Sequence, residues 1–103
     1  MSYDTNAYYH PEALGLEIVA EIDYSDGCYQ FDQRIVWLHK GTGKLYTARD
    51  SGGSWPIPFE DYESVESLAE YTFDFVRNEA LEMARSEYYG GDSVSDFIEK
   101  LPH

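Results

Sequence analysis

The sequence is poor in positive charge. Seven Lys and Arg residues oppose 20 Asp and Glu residues, so the formal charge at pH 7 is 7 − 20 = −13. A protein that binds nucleic acid directly needs a basic patch that displaces counterions from the phosphates. An anionic membrane surface attracts the same kind of patch. We therefore expect neither direct nucleic-acid binding nor membrane binding.

Cysteine, histidine clusters and long apolar runs are also scarce. The single Cys28 cannot form an intramolecular disulfide, so nothing indicates an oxidising compartment. The first residues lack the basic and apolar regions of a signal peptide, and no apolar run approaches the length of a membrane span. The three histidines share no metal-ligand spacing with Cys28. These absences predict a cytoplasmic protein with no metal site and no cofactor.

Hydrophobic and aromatic residues are plentiful. They make up 43% and 17% of the 103 residues, too much for a disordered acidic chain. A chain of this length is the size of one domain. We expect a single folded domain over residues 1–103, in which residues 1–9 are irregular.

Three strands are predicted in the first half of the chain. Apolar and mostly charged residues alternate over Leu16–Asp23, which predicts a strand with a single apolar face. The Asp26-Gly27 pair is a hairpin signal and leads into a second strand from Cys28 to His39. A second turn rich in glycine then leads into a third strand at Leu45–Arg49. The pattern predicts a three-stranded antiparallel meander.

In the second half of the chain, the apolar residues have the spacing of a helix. Apolar residues recur at intervals of three and four from Val65 to Ala84, in one stripe that includes Phe75. Ser64 can cap this long helix, and Gly90-Gly91 can end it. A short last helix is predicted from Ser93 to Leu101, and a short N-terminal helical turn over residues 10–15. The predicted fold class is α+β, with both C-terminal helices covering one face of the meander.

The acids are concentrated in the predicted helical half, where residues 60–103 hold twelve acids and three bases. On one long helix, four of them repeat at intervals of three and four and form a row along one side: Glu63, Glu66, Glu70 and Asp74. Glu79 and Glu82 extend the acidic surface further along the helix. Four helical residues rise by about 6 Å, which is comparable to the spacing of phosphates along a nucleic-acid strand. Two interpretations stay open. The row is either a solvated face that promotes solubility, or a binding surface for a basic protein partner, including one that handles nucleic acid and is inhibited by mimicry.

The segment Trp55-Pro56-Ile57-Pro58-Phe59 is the most unusual local pattern. Its two prolines favour an extended chain. Trp55 and Phe59 are therefore candidates for binding a groove of another protein. The alternative, which we favour, is a crossover fixed to the core by the same aromatic side chains.

No pattern in the chain selects a catalytic site. Carboxylates are numerous, but nothing identifies a pair held for general acid–base catalysis, and no nucleophile elbow or phosphate-binding loop is present. The sequence therefore predicts a non-enzymatic protein that binds a protein partner. The alternatives are a structural or assembly protein that associates through aromatic surfaces, and a small carboxylate-dependent hydrolase.

Five runs of the sequence resemble a group of phage proteins: 16–32, 35–37, 43–46, 50–52 and 56–62. The group consists of small acidic proteins of unknown function encoded by bacteriophages of actinobacteria, and the similarity covers roughly residues 8–70. Its members often carry Cys-x-Cys-Pro where this chain has Gly53-Ser54-Trp55-Pro56, so a thiol or metal role is not expected here. The resemblance implies a phage origin and no mechanism. Our expectation of a phage accessory protein that binds a host or phage protein in the host cytoplasm combines this origin with the acidic row.

Overall fold

A computed structural model describes residues 6–25, 31–52, 59, 62, 64–85 and 91–102. Four strands and two α-helices are found in these residues. The strands are β1 (Leu16–Asp23), β2 (Phe31–His39), β3 (Leu45–Gly52) and β4 (Ala69–Glu70), and the helices are α1 (Phe73–Ala84) and α2 (Gly91–Lys100). The strands form one antiparallel sheet in the order β1-β2-β3-β4. The predicted α+β class is confirmed, and the predicted meander gains a fourth strand.

Local turn chemistry sets the first elements. Pro11–Leu14 forms the predicted helical turn as a 3₁₀ helix, and it ends at Gly15, whose φ of 72° lies in the left-handed region. Gly43, with φ 74°, has the same conformation in the connection between β2 and β3. Glycine adopts this conformation without the steric cost that a Cβ atom imposes. These two positions therefore allow the chain to reverse where the sequence predicted turns.

β1 changes face halfway along its length. It has the predicted bounds, but its pairing with β2 shifts register between Ile18 and Ala20. Ile18 pairs with Trp37 and packs with it on one side of the sheet, whereas Ala20 pairs with Val36 and packs on the other side. One extra residue in a strand moves all later side chains to the opposite face. The single apolar face predicted for this strand is therefore wrong.

The long helix predicted from Ser64 is also wrong in its first part. Val65–Ser67 form a 3₁₀ turn, and Ala69–Glu70 pair with β3 as β4, before α1 begins at Phe73. The reason lies in the packing of the apolar stripe. Val65 and Leu68 pack on one side of the sheet, whereas Val76 and Ala80 of α1 pack on the other. One straight helix cannot reach both sides, so the chain crosses the edge of the sheet between them.

Both sides of the sheet are therefore covered. On the helix side, α1 and α2 enclose a hydrophobic cluster with residues of β1 and β2. On the opposite side, Trp37 packs with Phe59 and with the N-terminal Ala7. Here a turn at residues 7–9 and the 3₁₀ segment after Ser64 cover the sheet. No helix in the described residues is long and apolar enough to cross a membrane.

The last helix begins earlier than predicted. α2 starts at Gly91, which the sequence assigned to the end of the preceding helix, and runs to Lys100. Val94 and Phe97 of α2, and Leu101 directly after it, are buried in the helix-side cluster, as their spacing predicted. α2 packs against β1, and α1 lies beside α2. The helical layer thus starts at the β1 edge of the sheet and ends at α1.

Candidate functional site

The predicted row of acids is not formed on one helix. Glu66 lies in the 3₁₀ turn, Glu70 on β4, Asp74 in the first turn of α1 and Glu82 near its end. All four side chains are exposed. Two further candidates lie outside the described residues: Glu63 and Trp55. The exposed acids therefore all lie in the second half of the sequence but belong to three different elements.

Glu79 differs from the other candidates because it is used inside the protein. Its Oε1 accepts a hydrogen bond from Nε of Arg34 at 2.8 Å, and its Oε2 accepts one from Nη2 of Arg34 at 2.6 Å. Arg49 donates to Oε2 from Nη1 at 3.1 Å, and the Tyr24 hydroxyl donates to Oε1 at 3.3 Å. Only 14% of the Glu79 side chain is exposed. Both carboxylate oxygens are occupied, so Glu79 is not available to a partner.

The network continues across the sheet. Arg49 donates from Nε and Nη2 to the two carboxylate oxygens of Asp32, each at 2.7 Å. Arg34 also donates to the Thr47 hydroxyl at 3.4 Å. Two arginines and two carboxylates thus form a charge-balanced network that joins β2, β3 and α1.

The electrostatics of the network keep Glu79 charged. Burial alone would raise the pKa of Glu79, but the hydrogen bonds and positive charges of Arg34 and Arg49 outweigh it and hold the pKa below its ordinary value. Burial and the neighbouring Glu79 carboxylate raise the pKa of the Tyr24 hydroxyl well above its ordinary value. The network thus favours the charged form of Glu79, whose hydrogen bonds to Arg34 and Arg49 join α1 to β2 and β3.

Phe59 lies in the core. Its ring is fully buried and packs against the rings of Tyr8 and Trp37, with centroid separations of 5.5 and 5.9 Å. Its backbone N–H donates to Oδ2 of Asp50 at 2.8 Å, and its carbonyl accepts a hydrogen bond from the side-chain amide of Asn6. Phe59 therefore has the position that the crossover interpretation predicted. A partner could not contact its ring in this structure.

An aromatic residue that the sequence assigned to the buried stripe is instead exposed. Phe75 of α1 is 59% exposed, and its ring lies by the guanidinium of Arg34, with 5.4 Å between Cζ of Arg34 and the ring centroid. It borders a depression of about 380 Å³ between α1 and β3, which we call the α1–β3 groove. The groove is lined by Arg49 of β3 and by Phe75, Asn78, Glu79, Glu82 and Met83 of α1. The sequence contained a signal for this exposure. Phe75 and Val76 are neighbours, and neighbouring residues of a helix point in directions about 100° apart, so both cannot point into the same core.

A second depression, of about 370 Å³, lies between β1 and α2. Carboxylates of Glu21, Asp23 and Asp96 line it together with Lys100. Its largest apolar residue, Phe97, is 2% exposed. This depression therefore offers charge at the surface but no exposed aromatic side chain.

The four arginines of the chain all pair with carboxylates of the same chain. Besides the two in the buried network, Arg77 lies 3.6 Å from Asp74, and Arg85 lies 3.0 Å from Glu82. Several exposed acids form no ion pair with another described residue: Glu17, Glu21, Glu66, Glu70, Asp96 and Glu99.

In the part of the chain that the structure describes, no group of three or more His, Cys, Asp and Glu side chains is placed to hold a metal ion.

Comparison with known proteins gives one match. A family model described as a domain of unknown function, DUF7574, matches residues 5–102. No curated protein and no solved structure matches the chain. The matched region includes every strand and helix described above. The chain therefore belongs to the DUF7574 family.

Proposed function

We propose that this protein is a non-enzymatic binding protein that holds a basic protein partner on the exposed side of α1 and β4. One observation carries the proposal: the chain has a net charge of −13, and all four of its arginines are already in ion pairs with its own carboxylates. The contact residues are the exposed acids Asp74 and Glu82 of α1 and Glu70 of β4, with the exposed Phe75 next to Asp74 on α1. Glu66 is exposed as well, but its 3₁₀ turn packs on the opposite side of the sheet. The similarity to phage proteins supports an accessory role, with a host or phage protein as the partner.

A net charge of this size mainly changes the rate at which the protein and a basic partner associate. A strongly negative molecule attracts a basic partner over several ångströms and raises the association rate, an effect that salt screens. The Glu82–Arg85 pair is exposed on both sides, at 71% and 76% of the side chains. Exposed pairs of this kind contribute little to stability. Glu82 can therefore exchange Arg85 for a lysine or arginine of the partner at little cost.

The α1 side is favoured over the β1–α2 depression because it combines charge with an apolar contact. In protein interfaces, most of the binding free energy comes from a few well-buried aromatic or arginine side chains, and the surrounding charges set rate and specificity. Phe75 can supply such a contact, since 59% of it is exposed in this structure. In the β1–α2 depression, Phe97 is already buried.

Mimicry of nucleic acid is a narrower form of the same function. It was predicted from a helical row with phosphate-like spacing, and the 3₁₀ turn and β4 remove Glu66 and Glu70 from that row. The proposal therefore requires a basic partner but does not depend on phosphate-like spacing. If the partner handles nucleic acid and its basic groove is the contact, duplex DNA in excess should displace this protein from it.

Two charge-reversal variants test the site at equal net charge. Glu70→Lys/Asp74→Lys changes the α1 side, and Glu21→Lys/Asp96→Lys changes the β1–α2 depression. Each has a formal charge of −13 + 4 = −9. We expect only the first to weaken binding to an immobilised lysine-rich peptide by about tenfold at low salt. Equal losses would show that net charge alone acts, and would refute the site.

Assembly through aromatic surfaces is the second candidate, and the exposure of Phe75 favours it. Light scattering distinguishes the two functions. Oligomers that grow with protein concentration and persist at high salt would support assembly, because salt strengthens apolar contacts relative to charged ones.

A further inference from the structure

One wall of the α1–β3 groove is formed by α1 side chains that follow the helix axis, with the apolar residues Phe75 and Met83 at its two ends. Phe75, Asn78, Glu82 and Met83 occupy positions i, i+3, i+7 and i+8 of α1, all on the side that lines the groove. These eight residue steps span about 12 Å along the helix. An amphipathic helix that binds a groove presents its apolar anchors over a similar length, at its positions i, i+3, i+4 and i+7.

On the helix side of the sheet, the helices pack over β1 and β2 but not over β3. The hydrophobic cluster beneath the helices contains residues of β1 and β2, such as Ile22 and Val36, but none of the described residues of β3. β3 presents Thr47 and Arg49 on this side instead. A further helix could lie beside α1 above β3, since packed helices are separated by about 8–10 Å.

The floor of the groove is held in place before any partner binds. Arg49 is fixed by Asp32 and Glu79, and Glu79 is fixed in turn by Arg34. Phe75 lies over the same Arg34 guanidinium. Side chains already ordered in the unbound protein lose little conformational entropy on binding.

We infer that the α1–β3 groove binds an amphipathic helix of the basic partner. An apolar side chain of that helix packs on Phe75 and Met83, and its lysine or arginine side chains reach Glu82 and Asp74. This inference rests on the proposed function, because the charge of the partner is taken from it. A second copy of this chain is disfavoured as the occupant, because it would bring together two molecules that each carry −13.

Two synthetic peptides of equal length and composition test the inference. In the first, lysines and leucines are arranged so that all leucines share one helical face. In the second, the same residues are scrambled so that no apolar face forms. We expect the protein to bind the first peptide about tenfold more tightly than the second, as measured by calorimetry, because only the first can bury a leucine in the groove.

Substitutions on α1 locate the contact. Phe75→Ala should remove the preference for the amphipathic peptide while the salt dependence of binding stays unchanged. Leu81→Ala is the matched control: Leu81 is also an exposed apolar residue of α1, at 41%, but it does not line the groove. It should keep the preference. Met83→Gln is a second test of the same groove, because Phe75→Ala also removes the ring that lies over Arg34. It too should remove the preference.

The outcomes separate the inference from the proposed function. If neither peptide binds at low salt, the proposed function fails. If both bind equally and salt weakens both, the acidic surface is supported and the helix-binding groove is refuted. The inference is also overturned if Leu81→Ala removes the preference, or if Phe75→Ala and Met83→Gln both retain it.

Discussion

Arg34 and Glu79 form a two-point ion pair across 45 residues of sequence, with N–O distances of 2.8 and 2.6 Å. The pair joins the middle of β2 to α1, and little of either side chain is exposed, 9% and 14% respectively. It therefore fixes the helix from which Phe75 and Glu82 project. The candidate binding surface depends on this internal contact.

Removing one partner of that pair should destabilise the protein strongly. We expect Glu79→Gln to lower the free energy of unfolding by about 3 kcal/mol, because Arg34 then stays buried without a counter-charge. Glu82→Gln is the control, since its pair with Arg85 is exposed and should change stability by less than about 1 kcal/mol. Urea unfolding of both variants measures the difference. Similar losses in the two would contradict the role assigned to Glu79.

The Glu79 carboxylate should also make the stability of the protein depend on pH. The pKa of Glu79 is lower in the folded protein than its ordinary value of 4.5. Its contribution is therefore present above pH 4.5 and is lost as the pH falls through the lower folded-state pKa. Other acids also titrate, so the comparison is between wild type and Glu79→Gln. Their difference in Tm should shrink steadily as the pH is lowered from 5, and a constant difference would contradict the prediction.

Phe59 should show an unusual order of substitutions. Its φ of 60° is in the left-handed region, where a Cβ atom costs about 1–2 kcal/mol. Phe59→Ala and Phe59→Gly both lose the buried ring, at about 3–5 kcal/mol. Only glycine relieves the backbone, so Phe59→Gly should be the more stable of the two by up to about 1 kcal/mol. Thermal unfolding of the pair measures this, and the reverse order would show that the left-handed conformation is not present in solution.

Gln33 is a position where a polar atom can be removed without loss. Its Oε1 is buried and has no hydrogen-bond partner among the described residues, and its Nε2 donates only a long hydrogen bond of 3.5 Å to the Tyr8 hydroxyl. Gln33→Met keeps the shape of the side chain and removes the unpaired oxygen. We expect unchanged stability or a gain of up to about 1 kcal/mol in chemical denaturation. A loss above 1 kcal/mol would show that the amide is better bonded than the structure indicates.

The first three strands could be predicted because their signals are local. Alternation over Leu16–Asp23 gave both ends of β1, and the turn residues before Leu45 gave the start of β3. The extension of β3 to Gly52 was missed, since pairing with β2 decides it and Ser51 and Gly52 are weak strand formers. The register shift in β1 was also missed, because a strand that changes face has the same alternation as one that does not.

The helix boundary and the site could not be predicted from spacing. Val65, Leu68, Val76 and Ala80 all fit one helical stripe. Only the packing of Val65 and Leu68 against the cluster on the far side of the sheet separates them from the other two. The exposure of Glu66 and Glu70 follows from their charge alone. The burial of Glu79 does not, because its partners lie on distant strands.

The change of face in β1 also bears on how the protein unfolds. Ile18 and Ala20 tie the same strand to the two hydrophobic clusters on opposite sides of the sheet. Detaching β1 would therefore open both clusters at once, and neither could stay intact as a partly folded state. We expect a single cooperative transition, in which the β1 amides that bond to β2 exchange with solvent only when the whole sheet opens.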